Sequence, residues 1–452
     1  MDILLILLAL GLLIAGAWRG VTVLVLAPGL ATGLALASGL PMLAAYTQVF
    51  MAAAGGFVTA FLPLFLLGAV FGRVMDDSGS AARLAAAIAT GVGERRAVLA
   101  VVLACAVLTY GGVSLFVVAF VAWPLARALF ARAGTPARLI PATIALGAFT
   151  FTMTALPGSP AIQNAIPMPF FGTTLFAAPG LGVLAGAVMA GFGLAWLSFR
   201  AARLGPGPED AALADPAAAP TELALWRAIV PVALVLAVTL ALGWALLRVD
   251  TAYLAEARWG ATDIARLRGL WAVIGALVVA IAAAFMLSQP ADPVATLNAG
   301  ATAALLPLFN TASLVGFGAV VAALPGFEAL RQGLEALTGG SVLWSLALVV
   351  NVLAGITGSA SGGLSIALDA FGAQAQAAAA AQGIDPGVLH RLVAVATGGL
   401  DALPHNGAVV TLLGICGMTH GRAYGDIFMV AVVGPLLAMV VLILAAGAFG
   451  AF

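Results

Sequence analysis

Thr109-Tyr110-Gly111-Gly112-Val113-Ser114 lies at the middle of an apolar stretch, residues 97–130, that is too long for one membrane crossing and too short for two. A spanning helix needs about 20 mostly apolar residues. Half-length apolar arms around a Gly/Ser tip therefore read as a re-entrant hairpin. A second stretch, 341–381, has the same form around Gly358-Ser359-Ala360-Ser361-Gly362-Gly363-Leu364-Ser365. Non-helical backbone at membrane depth is tolerated only where protein or a water-filled cavity satisfies it. The alternative is a kinked ordinary helix.

Outward from the hairpins, spans are expected at 3–18, 21–38, 56–73, 139–167, 177–199, 225–247, 269–288, 303–323, 387–415 and 425–449. Two of these are interrupted. Residues 139–167 carry Ala155-Leu156-Pro157-Gly158-Ser159-Pro160, and 387–415 carry Ala402-Leu403-Pro404-His405-Asn406-Gly407. Proline removes a backbone donor and clashes with the preceding turn, so each reads as a broken helix.

The features repeat. Gly111-Gly112-Val113-Ser114-Leu115 matches Gly362-Gly363-Leu364-Ser365-Ile366, Pro136 and Leu139 match Pro386 and Leu389, and Ala155-Leu156-Pro157 matches Ala402-Leu403-Pro404. The anchors are collinear, so the chain reads as a duplication: a first repeat at 1–199, a linker at 200–224 and a second repeat at 225–452. Five crossings and one hairpin per repeat invert the second repeat relative to the first. Arg19, Arg73, Arg83, Arg95, Arg96, Arg127, Arg132, Arg138, Arg200, Arg203, Arg227 and Arg422 fall on one face. Arg248, Arg258, Arg266, Arg268, Arg331 and Arg391 fall on the other. The positive-inside rule makes the first face, with the linker, cytoplasmic and both termini periplasmic. Residues 1–73 and 225–323 are expected to form a scaffold, with the hairpins and broken helices as a separate unit.

Composition supports a membrane protein: 63% of the 452 residues are hydrophobic and 8% charged, against about 25% charged in soluble domains. Net charge is zero with no basic tract, which argues against a nucleic-acid partner. Cys105 and Cys416 sit in apolar runs without metal-ligand spacing and read as core, and no metal or cofactor site is expected. The apolar start at 3–17 reads as a retained first span rather than a signal peptide.

Two opposed hairpins and two broken helices bring half-helix ends to the midplane. Half-helix N-termini suit a carboxylate, and unwound carbonyls suit a cation. Ser114, Ser359, Ser361 and Ser365 add hydroxyls. Thr150, Thr152, Thr154, Ser159, Gln163 and Asn164 read as a hydrogen-bonding wall for a hydroxylated solute. Ionisable residues inside a membrane usually face a pathway, which selects Asp401, His405 and Asp369 for proton coupling. His390, Arg391 and His420 read as interfacial, leaving no cation inside the site to clamp a carboxylate. That suits a monocarboxylate held by backbone dipoles.

Tyr110-Gly111-Gly112-Val113-Ser114-Leu115-Phe116, Thr152-Met153-Thr154-Ala155-Leu156-Pro157-Gly158-Ser159-Pro160, Gln163-Asn164-Ala165-Ile166-Pro167, Gly358-Ser359-Ala360-Ser361-Gly362-Gly363 and Leu403-Pro404-His405-Asn406-Gly407-Ala408 resemble the gluconate permease family of the ion transporter superfamily. The resemblance runs over nearly the whole chain. It implies proton-coupled uptake of gluconate or a related hydroxy-carboxylate, an elevator mechanism and an inner-membrane homodimer. It also implies a substrate site at Tyr110, Gly111, Gly112, Ser114, Thr152, Thr154, Ser159, Asn164, Ser359, Ser361, Gly362, Gly363, Ser365, His405 and Asn406. Within the family, sodium-coupled or hydroxybutyrate- and glycerate-type permeases are alternatives. Outside it, the rival is a cation/proton antiporter or ion-only carrier, which would also use broken helices and an intramembrane Asp. Against that rival stand the amide- and hydroxyl-rich first repeat and the lack of a second carboxylate beside Asp401. An enzyme is not expected, because no HExxH, Ser–Lys or paired-carboxylate arrangement lies within the spans.

Overall fold

The structure, a computed structural model, describes residues 2–19, 21–93, 96–113, 115–205, 223–324, 340–404 and 406–452. Regular structure in them is helical throughout, as a bilayer requires of backbone that must satisfy its own hydrogen bonds. The first half comprises α1 (Asp2–Trp18), α2 (Val23–Ala37), α3 (Met42–Asp77, with a π-helical turn at Ala45–Phe50), α4 (Ser80–Val92), α5 (Ala97–Tyr110) and α6 (Leu115–Ala133). It continues with α7 (Ile140–Ala148), α8 (Phe151–Thr154), α9 (Ile162–Ala165), α10 (Pro167–Phe171) and α11 (Pro179–Arg203). The second half comprises α12 (Leu225–Ala245), α13 (Ile264–Ser288), α14 (Pro293–Ala322), α15 (Val342–Thr357), α16 (Ala360–Ala381), α17 (Pro386–Thr397), α18 (Gly407–Ile415) and α19 (His420–Phe449, with a π-helical turn at Met429–Val433).

Seven helices among the described residues are long and apolar enough to cross a membrane: α3, the segment Ala137–Thr154, α11, α12, α13, α14 and α19. Their outer faces carry large apolar side chains. Trp244 is 61% exposed and Met286 76%, which suits lipid rather than water. Arginines lie over aromatic rings at helix ends, Arg248 on Trp244 at 3.2 Å and Arg203 on Phe199 at 4.1 Å from the ring centre. Such pairs belong at a membrane–water interface.

Two expected spans are not single helices. Residues 139–167 form α7 to α10, and unwinding begins at Phe149–Thr150, before the proline. Residues 387–415 form α17 and α18 around an irregular stretch that begins at 398–404. Both long apolar stretches fold as two helices packed on one another, α5 with α6 and α15 with α16. Three other spans differ from expectation. The rod α3 begins well before residue 56, α14 starts at Pro293 behind an Asp292 cap that accepts from the Ala295 N–H, and α4 was not anticipated. Gly79, at φ +71°, makes the sharp turn between α3 and α4.

The innermost elements are α7, in which every residue is buried, and α17, buried from Gly387 to Thr397. Beside them α3 and α14 pack along much of their length. A side chain at Gly300 would strike Val70 and one at Gly316 would strike Phe50, so the two rods run antiparallel. α14 also packs on α2, and α3 on α13. Polar contacts gather several ends at one place: Thr296 donates to Asp77 (2.7 Å), Arg83 to the Leu223 carbonyl (2.8 Å) and Ser288 to the Arg227 carbonyl (3.4 Å).

Candidate functional site

Each hairpin tip is tied to the break that follows it. At the first tip, Gly112 adopts φ +89°, which favours glycine, and an added Cβ would sit 3.2 Å from Pro160. The Tyr110 hydroxyl donates to the Pro157 carbonyl at 2.6 Å. At the second tip, Gly358 is left-handed, and Ser359 caps α16 by accepting from the Gly362 N–H at 3.1 Å. Asn406 donates to the Gly358 carbonyl at 2.9 Å. Its Oδ1 caps α18 by accepting from the Ala408 and Val409 N–H groups at 2.6 and 3.1 Å. Gly363 has a different role. An added Cβ there would collide with the backbone of Ala354, so this glycine lets the two arms of the second hairpin touch.

The first break is closed by a buried polar network centred on Arg391 of α17. Its guanidinium donates to the Asn164 Oδ1 (3.0 Å), the Leu175 carbonyl (3.0 Å) and, from Nε and Nη2, the Ala177 carbonyl (3.1 and 2.9 Å). Asn164 donates both amide protons, to the Ser159 and Leu175 carbonyls (2.8 and 3.2 Å), which fixes its Oδ1 as an acceptor. His390 Nε2, 3.0 Å from that oxygen, is then the donor, and Nδ1 accepts from Thr173 at 2.6 Å. His390, Arg391 and Asn164 have no solvent exposure. Placing His390 and Arg391 at the interface is therefore corrected, and a cation does lie inside. It is committed to protein carbonyls. A helix apolar all round is buried, and its few polar members go in with it. Pro386–Thr397 is apolar apart from His390, Arg391 and Thr397, and that was the available signal.

The hydroxyl wall turns inward. Thr150, Thr152 and Thr154 are buried and donate to the carbonyls of Leu146 (2.6 Å), Gly147 (2.7 Å) and Thr150 (3.2 Å). Ser159 is buried and accepts from Ala161 (3.4 Å), and Ser365 donates to the Ser361 carbonyl (2.8 Å). Asn164 has every hydrogen-bonding position filled. Gln163 and Ser361, with Gly112, instead line a cavity of about 420 Å³. Its other walls include the second half of α3, with Arg73, and the first half of α14, together with Thr109 of the first hairpin and Pro160 to Ile162 of the break. Ser361 reaches it from the second hairpin, 3.3 Å from Thr311.

Asp401 is buried in the second break, with no basic side chain paired to it among the described residues. Tyr424 and His420 donate to the neighbouring carbonyls of Ala402 (3.2 Å) and Pro404 (2.9 Å). Asp369 is exposed and lines a second cavity, about 600 Å³, with Ser365 and Arg266. That cavity uses the opposite ends of α3 and α14 from the first. Ser114 and His405 lie outside the described residues, as does 206–222 of the linker.

Two helical hairpins tied to broken helices, with cavities between long apolar rods, are the features of a multi-pass membrane transporter. No protein-family model matches the chain. It is 42% identical over 457 residues, covering 96% of both chains, to the "Uncharacterized transporter YxjC" of Bacillus subtilis (strain 168). The chain therefore belongs to the transporter family that contains YxjC. The fold is similar to that of the Alcanivorax borkumensis YdaH transporter, whose crystal structure reveals an unusual topology; TM-score is 0.56, identity 19% and coverage 89% of each chain.

Proposed function

We propose that this protein is a secondary active transporter for small hydroxy-carboxylates of the gluconate type, driven by protons across a bacterial inner membrane. The observation that carries this reading is the convergence of both hairpins and the first break on one cavity, through Gly112, Ser361 and Gln163. The proposed coupling group is Asp401, with His405 beside it and Asp369 as the second candidate. Two inverted repeats explain the antiparallel pairing of α3 and α14. Leu62-Pro63-Leu64-Phe65 and Leu306-Pro307-Leu308-Phe309 add a further collinear match between these two helices. With Arg391 buried, the charge bias becomes twelve arginines against five, which supports periplasmic termini. In this reading the α1–α3 and α12–α14 group is the dimeric scaffold, and the hairpins and breaks move against it as an elevator.

Radiolabelled gluconate and 3-hydroxybutyrate uptake into proteoliposomes, with and without an inward proton gradient, tests the proposal. Accumulation that depends on the gradient supports it. Proton movement on addition of sodium, without uptake of either acid, supports an ion exchanger instead.

A further inference from the structure

Thr109 stands apart from the other helical threonines. Thr143, Thr150, Thr154, Thr239 and Thr311 all return their hydroxyl to the carbonyl one turn back, the usual way such a group is satisfied in an apolar helix. Thr109 has the Cys105 carbonyl at the same offset and does not use it. Thr109 is 6% exposed, and its hydroxyl has no hydrogen-bond partner among the described residues. A buried polar atom left without a partner is costly, so one that persists needs a reason. Thr109 lies on the wall of the 420 Å³ cavity, whose volume falls in the range of about 300–1,000 Å³ usual for small-molecule sites.

Arg73 supplies the second half of the argument. It also lines this cavity, and its side chain is 45% exposed, so it stands where the cavity meets solvent. Asp77 grips it side-on, Nε at 2.9 Å and Nη2 at 2.8 Å. Asp77 is itself fixed by the Thr296 hydroxyl at 2.7 Å. A guanidinium has five N–H donors in a planar fork, and side-on pairing with one carboxylate leaves the Nη1/Nη2 edge for a second. The rest of the cavity wall is mostly apolar, from Leu64 and Phe65 to Pro307.

We propose that this cavity binds a short hydroxy-monocarboxylate, with Thr109 reading a substrate hydroxyl and Arg73, oriented by Asp77, taking the carboxylate at the mouth. Both are specificity-determining residues. The proposal rests on the hydroxy-carboxylate reading above and assigns that substrate its contacts. It also explains how a monoanion is held although Arg391 is committed elsewhere.

The test compares 3-hydroxybutyrate with butyrate, which lacks the hydroxyl, in proteoliposomes of the full chain. Thr109→Val keeps the shape and removes the hydroxyl. It should raise KM for 3-hydroxybutyrate about tenfold, leave KM for butyrate unchanged, and be reversed by Thr109→Ser. Arg73→Gln should raise KM for both acids, and Arg73→Lys should restore it in part. Melting temperatures in detergent confirm that each variant is folded. Wild-type uptake with KM values unmoved by Thr109→Val and Arg73→Gln overturns this site while leaving the transport reading intact. Failure of the wild type to carry either acid or gluconate overturns both. Equal losses for both acids in Thr109→Val assign that residue to packing and overturn its reading role.

Discussion

The two breaks share Ala-Leu-Pro and are held by opposite means. The first is sealed from across the molecule: Arg391, from the second half of the chain, satisfies carbonyls at Leu175 and Ala177 and locks Asn164, all of them buried. The second is held at its edges, by the Asn406 cap and by Tyr424 and His420 on the neighbouring α19. It encloses a carboxylate, Asp401, that no basic group among the described residues neutralises. A saturated polar network is rigid and has no capacity left to change. A buried carboxylate without a basic partner is the opposite, a group whose charge can change during a cycle. One break is therefore a fixed support, and the other, under the proposed function, is the one left free for coupling.

The largest effect that sharpens this contrast is expected at Arg391. Arg391→Ala leaves the Ala177 carbonyl and part of the Asn164 and Leu175 sites without donors in a water-free interior. The loss is at least about 3 kcal/mol, read as a collapse of the monodisperse peak or a large fall in melting temperature on fluorescence-detected size exclusion. Arg391→Lys should not rescue, because a point charge cannot span carbonyls on two residues and an amide at once. A stable Arg391→Ala protein with ordinary transport would break the comparison.

Next is Asp401→Asn, expected to be large for transport and small for stability. It should remove accumulation driven by external acid and preserve exchange of internal for external substrate, since exchange moves no net proton. The melting temperature should stay within a few degrees of wild type. Continued acid-driven accumulation would move the proton site to Asp369.

Much of this architecture could be read from sequence because it rests on local chemistry: Gly-rich tips between half-length apolar arms, and prolines in matched spans. The buried cation could not be read so directly. Arg391 follows a Pro-headed helix start, where arginine is normally interfacial, and the carbonyls it serves lie more than 200 residues away at Leu175 and Ala177. The threonines misled for a related reason. A hydroxyl in an apolar helix reads as a ligand group, yet its own preceding turn offers a nearer acceptor, and Thr152 and Thr154 take it. Gly112 and Gly363 also looked equivalent by alignment. One borders the cavity and the other meets the backbone of its own hairpin partner.

A smaller effect separates the two staples. Asn406→Ala deletes both the α18 cap and the bond to the Gly358 carbonyl, worth about 1–2 kcal/mol together. The melting temperature should fall, and the second hairpin should become more accessible to proteolysis or to labelling of a cysteine placed at its tip. Labelling unchanged from wild type would show that Asn406 does not hold that tip.

The smallest expected effect is at Tyr110, the corresponding staple of the first half. Tyr110→Phe removes one bond, the 2.6 Å contact to the Pro157 carbonyl, and keeps the ring that packs beside it. Tyr110 is only partly buried, so water can reach what the hydroxyl leaves, and the cost should be no more than about 1 kcal/mol. The Arg391 network also holds the first break independently of Tyr110, whereas Asn406 ties the second tip directly to its break. The hydroxyl is spent on Pro157, and Tyr110 is not among the cavity walls. KM for the transported acid should therefore stay at its wild-type value while the maximal rate falls modestly. A rise in KM would return Tyr110 to the substrate's contacts. A drop in melting temperature equal to that of Asn406→Ala would mean that the two halves are stapled alike, and the contrast between them would then rest on Arg391 and Asp401 alone.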